Sequence, residues 1–302
     1  MIGWRRSGSY LVSGVALLDK PVGISSFAAL GALRRIAGTR RVGHTGTLDP
    51  CASGLLVALV GPATRLARYF SGLSKCYEAE FVFGAATDTD DGTGTVIERC
   101  SSPSPDRIRE LIGNYTGTFE QLPPRYSAVH VNGRRAYQIA REGKNPDVPR
   151  RSVTVSRFEV KPLSGSRMSV AISCSAGTYI RSIARDLAAE AGSCGHVSGL
   201  RRTSVGPFSI SEAGDPEEFT LERNLVEPLR AISELPGISL CEVGRQGAVD
   251  VRHGRVPPEI RDGTHLVLDG PVALHCDGRL IGVGRWHESR WKYDLVMPHE
   301  GD

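Results

Sequence analysis

The chain has 302 residues, 40% hydrophobic and 23% charged, with a net charge of +4. That balance suits one large or two smaller folded domains with a sizeable core, and it excludes wholesale disorder. The longest apolar run, residues 55–60, is far short of the roughly 20 residues of a bilayer span, and the arginines near Met1 precede no apolar block, so a cytoplasmic protein without a signal peptide is expected.

A short strand is expected over residues 15–18, entering the turn Asp19-Lys20-Pro21-Val22-Gly23. Ser25 or Ser26 caps a helix over 27–36, where Leu30, Leu33 and Ile36 fall at helical spacing. A polar, Gly-rich loop over 40–54 leads to a strand over 55–60 and a helix over 63–70 behind Pro62. Tyr77, Ala79, Phe81 and Phe83 alternate along a further strand. Ser104-Pro105-Asp106 opens a helix over 107–114, and a short helix is expected around 136–142. Strands over 153–160 and 168–173 pair, and residues 179–191 form an amphipathic helix with Ile180, Ile183 and Leu187 on one face. A linker helix is expected over 225–233. Beyond Pro236 come short strands over 266–268, 272–275 and 280–283, between Gly and Pro turns. The fold class is therefore α+β, with a mixed domain over 1–235 and a small all-β domain over 236–302.

Charge is unevenly placed. Residues 1–211 carry +11 and residues 212–302 carry −7, while the short stretch 125–151 alone holds +5. A local basic patch is where a polyanion binds, although a solvated charged loop has the same composition. The seven cysteines are odd in number and show no C-x-x-C spacing, so free thiols and no zinc site are expected. Asp88-Thr-Asp90-Asp91-Gly92 looks like the front of a calcium loop, but Thr93 and Arg99 stand where such a loop needs Gly and Glu. No metal site is expected.

The most informative stretch is Arg41-Val-Gly-His44-Thr-Gly46-Thr47-Leu48-Asp49-Pro50-Cys-Ala-Ser53-Gly54. Its glycines permit tight turns, and Pro50 restricts the backbone of Asp49, so the loop can hold one carboxylate rigidly in a cleft. By shape alone it could equally be a turn with an Asx-type hydrogen bond. The whole string closely resembles the active-site motif of the TruB family of tRNA pseudouridine synthases. Other segments agree in the family's order: Leu18-Asp19-Lys20-Pro21-Val22-Gly23, Lys75-Cys-Tyr77, Gly84-Ala-Ala-Thr87-Asp88-Thr89-Asp90-Asp91, Gln121-Leu-Pro123-Pro124-Arg-Tyr126, Gly177-Thr178-Tyr179-Ile180-Arg181 and Leu200-Arg201-Arg202-Thr203.

The resemblance implies a largely antiparallel catalytic domain over 1–235, an RNA-gripping insertion at about 123–151, and a PUA-like domain over 236–302. Residues 212–302, which include this unit, carry −7, the wrong sign for strong phosphate binding. Pseudouridine formation breaks the N1–C1′ bond of uridine, turns the base and forms C5–C1′, a reaction that needs no cofactor and no metal. The resemblance makes Asp49 the catalytic carboxylate, acting as a nucleophile or as a base. Arg181 is the partner that aims it, and Tyr77 is a platform for the flipped uracil. Tyr179, Leu200, His44 and Lys20 are implied as further substrate contacts. Arg134, Arg135, Arg141, Arg201 and Arg202 are the expected RNA contacts. The partner implied is the T stem-loop of tRNA, with uridine 55 as target and no obligate protein partner. Taken singly, each of these residues has an ordinary structural reading; their joint placement decides. An RNA-guided synthase of the dyskerin type is the near alternative, disfavoured by the basic insertion. An RNA-binding or tRNA-folding protein with secondary catalysis is the other.

Overall fold

The computed structural model describes residues 12–261 and 270–298. Its centre is one long sheet. In chain order the strands are β1 (Gly14–Lys20), β2 (Val42–His44), β3 (Ser53–Val60), β4 (Lys75–Phe83), the hairpin β5 (Ala85–Thr87) and β6 (Val96–Arg99), β7 (Gly117–Gln121), the small hairpin β8 (His130–Val131) and β9 (Arg134–Arg135), β10 (Arg151–Pro162), β11 (Arg167–Cys174), β12 (Gly195–Val205), β13 (Phe208–Ser209) and β14 (Leu225–Val226). The main sheet runs β14-β1-β3-β12-β4-β11-β10-β7, with β2 on β3 and β13 on β12. Its pairings are antiparallel apart from the short parallel contact of β12 with β3, which agrees with the mixed, largely antiparallel architecture expected. Gly54 makes that contact possible. Its φ is +103°, and a Cβ there would run into the main chain of Arg202, so only glycine lets the two strands meet.

Helix α1 (Ser26–Ala37) starts where the Ser25 hydroxyl accepts from the amide of Ala28, and it ends at Gly38 in the left-handed region. Helices α2 (Ala67–Ser71), α3 (Pro105–Leu111), α4 (Ala136–Arg141) and α5 (Ile180–Glu190) follow. Both faces of the sheet are covered. Leu56, Ala58 and Val60 of β3 share one core with Leu30, Leu33, Ile183 and Leu187. Leu55, Val57 and Leu59 belong to a second core that also contains Ala273, Leu280, Val283 and Leu295. Those last four lie on the C-terminal sheet, β15 (Ser239–Glu242), β16 (Val272–Cys276), β17 (Arg279–His287) and β18 (Arg290–Val296), paired in that order. The helix Arg245–Arg252 sits between β15 and β16 and buries Val251 beside Val272 and Leu274. The strand expected over 266–268 lies outside the described residues. No helix among the described residues is long and apolar enough to cross a membrane.

Three expectations are corrected. The loop over 40–54 contains a strand, β2, which pairs with β3. The linker helix over 225–233 is shorter: Leu225 and Val226 extend the main sheet at β1, and the helix begins at Pro228. Proline disfavours helix in the residue before it, which frees the preceding segment to pair. Finally, the thiols are not all free. Cys100 and Cys194 form a disulfide, 94 residues apart in sequence, where the chain leaving β6 meets the start of β12.

Candidate active site

A cavity of about 440 Å³ opens over β4, β12 and the loop before β3, and Asp49, Tyr77, Tyr179, Arg181 and Leu200 all line it. The loop that carries Asp49 is fixed from two sides. The buried Ser26 hydroxyl accepts from the amide of Leu48 at 2.8 Å and donates to its carbonyl at 2.9 Å. From the other side, Arg202 donates to the carbonyls of Leu55, Thr47 and Gly46 at 2.7, 3.3 and 3.1 Å. The loop main chain is thus hydrogen-bonded on both sides of the carboxylate, whose side chain is not needed to hold the loop.

Arg181 lies on the first turn of α5 and is 3% exposed. Its Nε donates to Asp49 Oδ2 at 2.9 Å. Its other nitrogens donate to the carbonyls of Thr89 and Tyr126 at 2.7 and 2.9 Å, and Asp91 lies 3.4 Å away. Asp91 is itself buried. Burial acts to raise its carboxyl pKa, but hydrogen bonds from Thr93, the Arg181 charge and the Thr89 hydroxyl bring it below the usual value. A second pair, Arg185 with Asp90 at 3.1 Å, fastens the same acidic loop to α5. The result is an Asp–Arg–Asp chain in which one end, Asp49, faces the cavity.

Tyr77 is buried on β4, directly across from Arg202 of β12. Burial raises its pKa against the pull of the Arg202 charge, so the ring is a neutral wall near pH 7. Tyr179 stands at the N-terminus of α5, held by Gln121, which accepts from its amide and donates to its carbonyl. The Arg151 guanidinium lies 5.6 Å from its ring centre. Leu200 is half-buried and supplies an apolar edge.

Two expected contacts, Lys20 and Arg202, are buried, and a third, His44, stands outside the cavity lining. Lys20 is fully buried, and its Nζ donates to the carbonyls of Pro21 and Ile24 at 2.8 and 2.9 Å; it shapes the turn before α1 and does not line the cavity. His44 is half-buried on β2, also outside the lining; burial, Arg202 and Arg34 lower its pKa, so it is neutral near pH 7. Arg202, expected on RNA, is 1% exposed and committed to the loop that carries Asp49. A charged residue two places after a cavity leucine reads as surface, yet β12 is a central strand and carries it inward. The remaining arginines are accessible. Arg134 pairs with Glu142, Arg135 donates to the Ala128 carbonyl, Arg141 covers the Tyr137 ring at 5.4 Å and Arg201 pairs with Asp19 at 2.6 Å. Ser26, Lys75, Asp91 and Arg151 were missed as site residues. Lys75 and Asp91 carried a signal, the one in the Lys75-Cys-Tyr77 motif and the other in an acidic loop that calcium binding could not explain.

Residues 34–180 match the TruB family pseudouridylate synthase (N terminal domain) family. The chain is 39% identical over 285 residues to tRNA pseudouridine synthase B of Thermobifida fusca, covering 90% of this chain and 94% of that protein. It is 41% identical over 286 residues to the protein of the same name from Leifsonia xyli, covering 90% and 92%. Among solved structures it resembles a chain of a Cbf5-Nop10-Gar1 complex, with a TM-score of 0.68 at 22% identity over 94% of this chain and 83% of that one. It also resembles a chain of an archaeal box H/ACA sRNP Nop10-Cbf5 complex, with a TM-score of 0.63 at 21% identity over 90% and 78%. At that identity the structural likeness speaks for the fold.

Proposed function

The chain belongs to the TruB family of pseudouridylate synthases, and from that premise we propose that it acts alone on tRNA, isomerising uridine 55 of the T loop to pseudouridine. The observation that carries the reading is the cavity in which Asp49, aimed by a buried Arg181, faces Tyr77. A uridine reaches such a cavity only by leaving its stack, at a cost of a few kcal/mol. Its base then rests on Tyr77 between Leu200 and Tyr179 while Asp49 works at the sugar, as nucleophile on C1′ or as the base that starts an elimination. The flat rings of Tyr77 and Tyr179 and the apolar edge of Leu200 keep the detached uracil in place until C5 meets C1′. We assign residues 1–235 to catalysis and 236–302 to a PUA-like unit. The basic insertion over 123–151 supports tRNA as a direct substrate over an RNA-guided arrangement. Incubating the pure protein with unmodified tRNA and mapping pseudouridine tests the reading: product at position 55 is expected, and its absence overturns it.

Tyr77→Phe should keep the stacking surface and most of the activity, whereas Tyr77→Leu should lose about 1–3 kcal/mol of stacking. Rates and fluorescence of a base analogue at the target position check both. An inactive Phe variant that still flips the base would give the hydroxyl a chemical role and end the stacking-only account.

Arg134 and Arg141 are exposed and Arg135 is half-buried, and each has a local partner that a phosphate can displace. Replacing Arg134, Arg135 and Arg141 together with alanine should weaken tRNA binding and flatten its salt dependence by about two to three units of slope. The fold should survive, since substitutions at exposed sites such as Arg134 and Arg141 cost under about 0.5 kcal/mol each and Arg135 gives up one hydrogen bond to a carbonyl. Identical slopes for wild type and variant would move the phosphate contacts elsewhere, with Arg201 the next choice.

A further inference from the structure

The cavity is electrostatically lopsided. Lys75, Arg151, Arg181 and Arg202 line it, against a single carboxylate, Asp49. Arg181 is balanced by Asp49 and Asp91. Lys75 and Arg202 have no carboxylate partner among the described residues, although they are only 6% and 1% exposed. The Lys75 ammonium donates to the carbonyl of Leu73 at 2.6 Å and lies 3.5 Å from that of Ser71, which leaves donor capacity for the cavity. Burying two uncompensated cations side by side is costly. Such a site suits a negative charge that arrives during the work of the enzyme.

The reaction makes one. Whichever role Asp49 takes, the bonding pair of N1–C1′ leaves with the uracil and spreads over N1, O2 and O4. Resting on the function argued above, we propose that Lys75 is a catalytic residue whose ammonium holds the uracil anion after the glycosidic bond breaks. Lys75 and Tyr77 lie two residues apart on one face of β4, about 7 Å along the strand, so a uracil stacked on Tyr77 turns its edge within reach of Nζ. Gly46 keeps the opposite loop close: a Cβ there would stand 3.3 Å from Lys75 Cε. The balance closes without an added reagent. N1–C1′ breaks, C5–C1′ forms, one proton leaves C5 and one joins N1, and Lys75 ends as it began.

Burial, assisted by the Arg202 charge, lowers Lys75 to about 8. The groups facing it are Arg202 on β12, Cys174 on β11, pushed up to about 11 by burial, Tyr77 on its own strand, raised by burial, and Asp49 across the cavity. The lysine should therefore lose its proton, and the enzyme its activity, as pH rises through about 8.

The test is single-turnover kinetics on unmodified tRNA with the full chain. If wild type makes no pseudouridine, the functional reading fails before this one is reached. Given an active wild type, Lys75→Met should slow the chemical step at least about 100-fold, the scale of a lost charge-stabilising donor, with tRNA affinity within about threefold. Lys75→Arg should keep a tenth or more of the rate and move the alkaline limb of kcat/KM from near pH 8 to above about pH 10. A Met variant with the wild-type rate overturns the proposal. So does one with weakened binding, a salt slope reduced by about one unit and normal chemistry, since Lys75 would then hold a phosphate. An unmoved alkaline limb in Lys75→Arg overturns it as well, and that measurement stands alone if the Met variant does not fold.

Discussion

Asp49→Asn should lose turnover by at least about 10⁴-fold while tRNA affinity stays within about tenfold. The amide has nearly the shape of the carboxylate, and the loop beneath it is held through the main chain by Ser26 and Arg202, so what disappears is chemistry and not architecture. The neutral side chain can neither attack C1′ nor take a proton from the sugar. Single-turnover assays beside filter-binding measurements separate the two quantities. Appreciable pseudouridine from the Asn variant would remove Asp49 from the reaction.

Arg181→Met should damage stability and rate together. The guanidinium touches Asp49, Asp91 and the carbonyls of Thr89 and Tyr126, so removing it takes a counter-charge from the buried Asp91, which keeps its Thr89 and Thr93 hydrogen bonds, and strands two main-chain acceptors. Breaking a buried pair from one side costs about 3–5 kcal/mol. Arg181→Lys keeps the charge but cannot span four partners in a plane; it should recover most of the stability and little of the rate, with turnover still reduced about 10²- to 10³-fold. Denaturant midpoints and single-turnover rates on both variants decide this. A Met variant as stable as wild type would mean that Asp91 is satisfied without Arg181.

Much of this site was legible in the chain because its pieces announce themselves locally. The apolar run after Gly54, the alternation from Tyr77 to Phe83 and the helical spacing after Tyr179 follow from periodicity, and they match β3, β4 and α5. What local pattern could not disclose is which charged residues turn inward. Lys20 and Arg202 look like residues for a ligand, yet both are buried and bond to carbonyls, because the sheet order places β1 and β12 in its interior. Asp91 could be separated from its acidic neighbours only by knowing that α5 delivers Arg181 beside it. Cys100 and Cys194 meet for the same reason, through a sheet that joins distant parts of the chain. The strand at Leu225–Val226 did have a local sign, Pro228 shortly after it, which marks where a helix starts and not where one continues.

Strand β3 is hydrophobic on both sides and lends one side to each core. The loop that carries Asp49 hangs from its first residues, and the layer that steadies its far side is partly built from Ala273, Val283 and Leu295 of the C-terminal sheet. Heredity therefore treats the tail and the active site as one inheritance. A lineage selected only for the modification of its RNA would still be held to small or aliphatic residues at those three positions, though none of them ever meets a nucleotide. The outer face of that sheet stays free to drift, while its inner face is bound to the fate of Asp49.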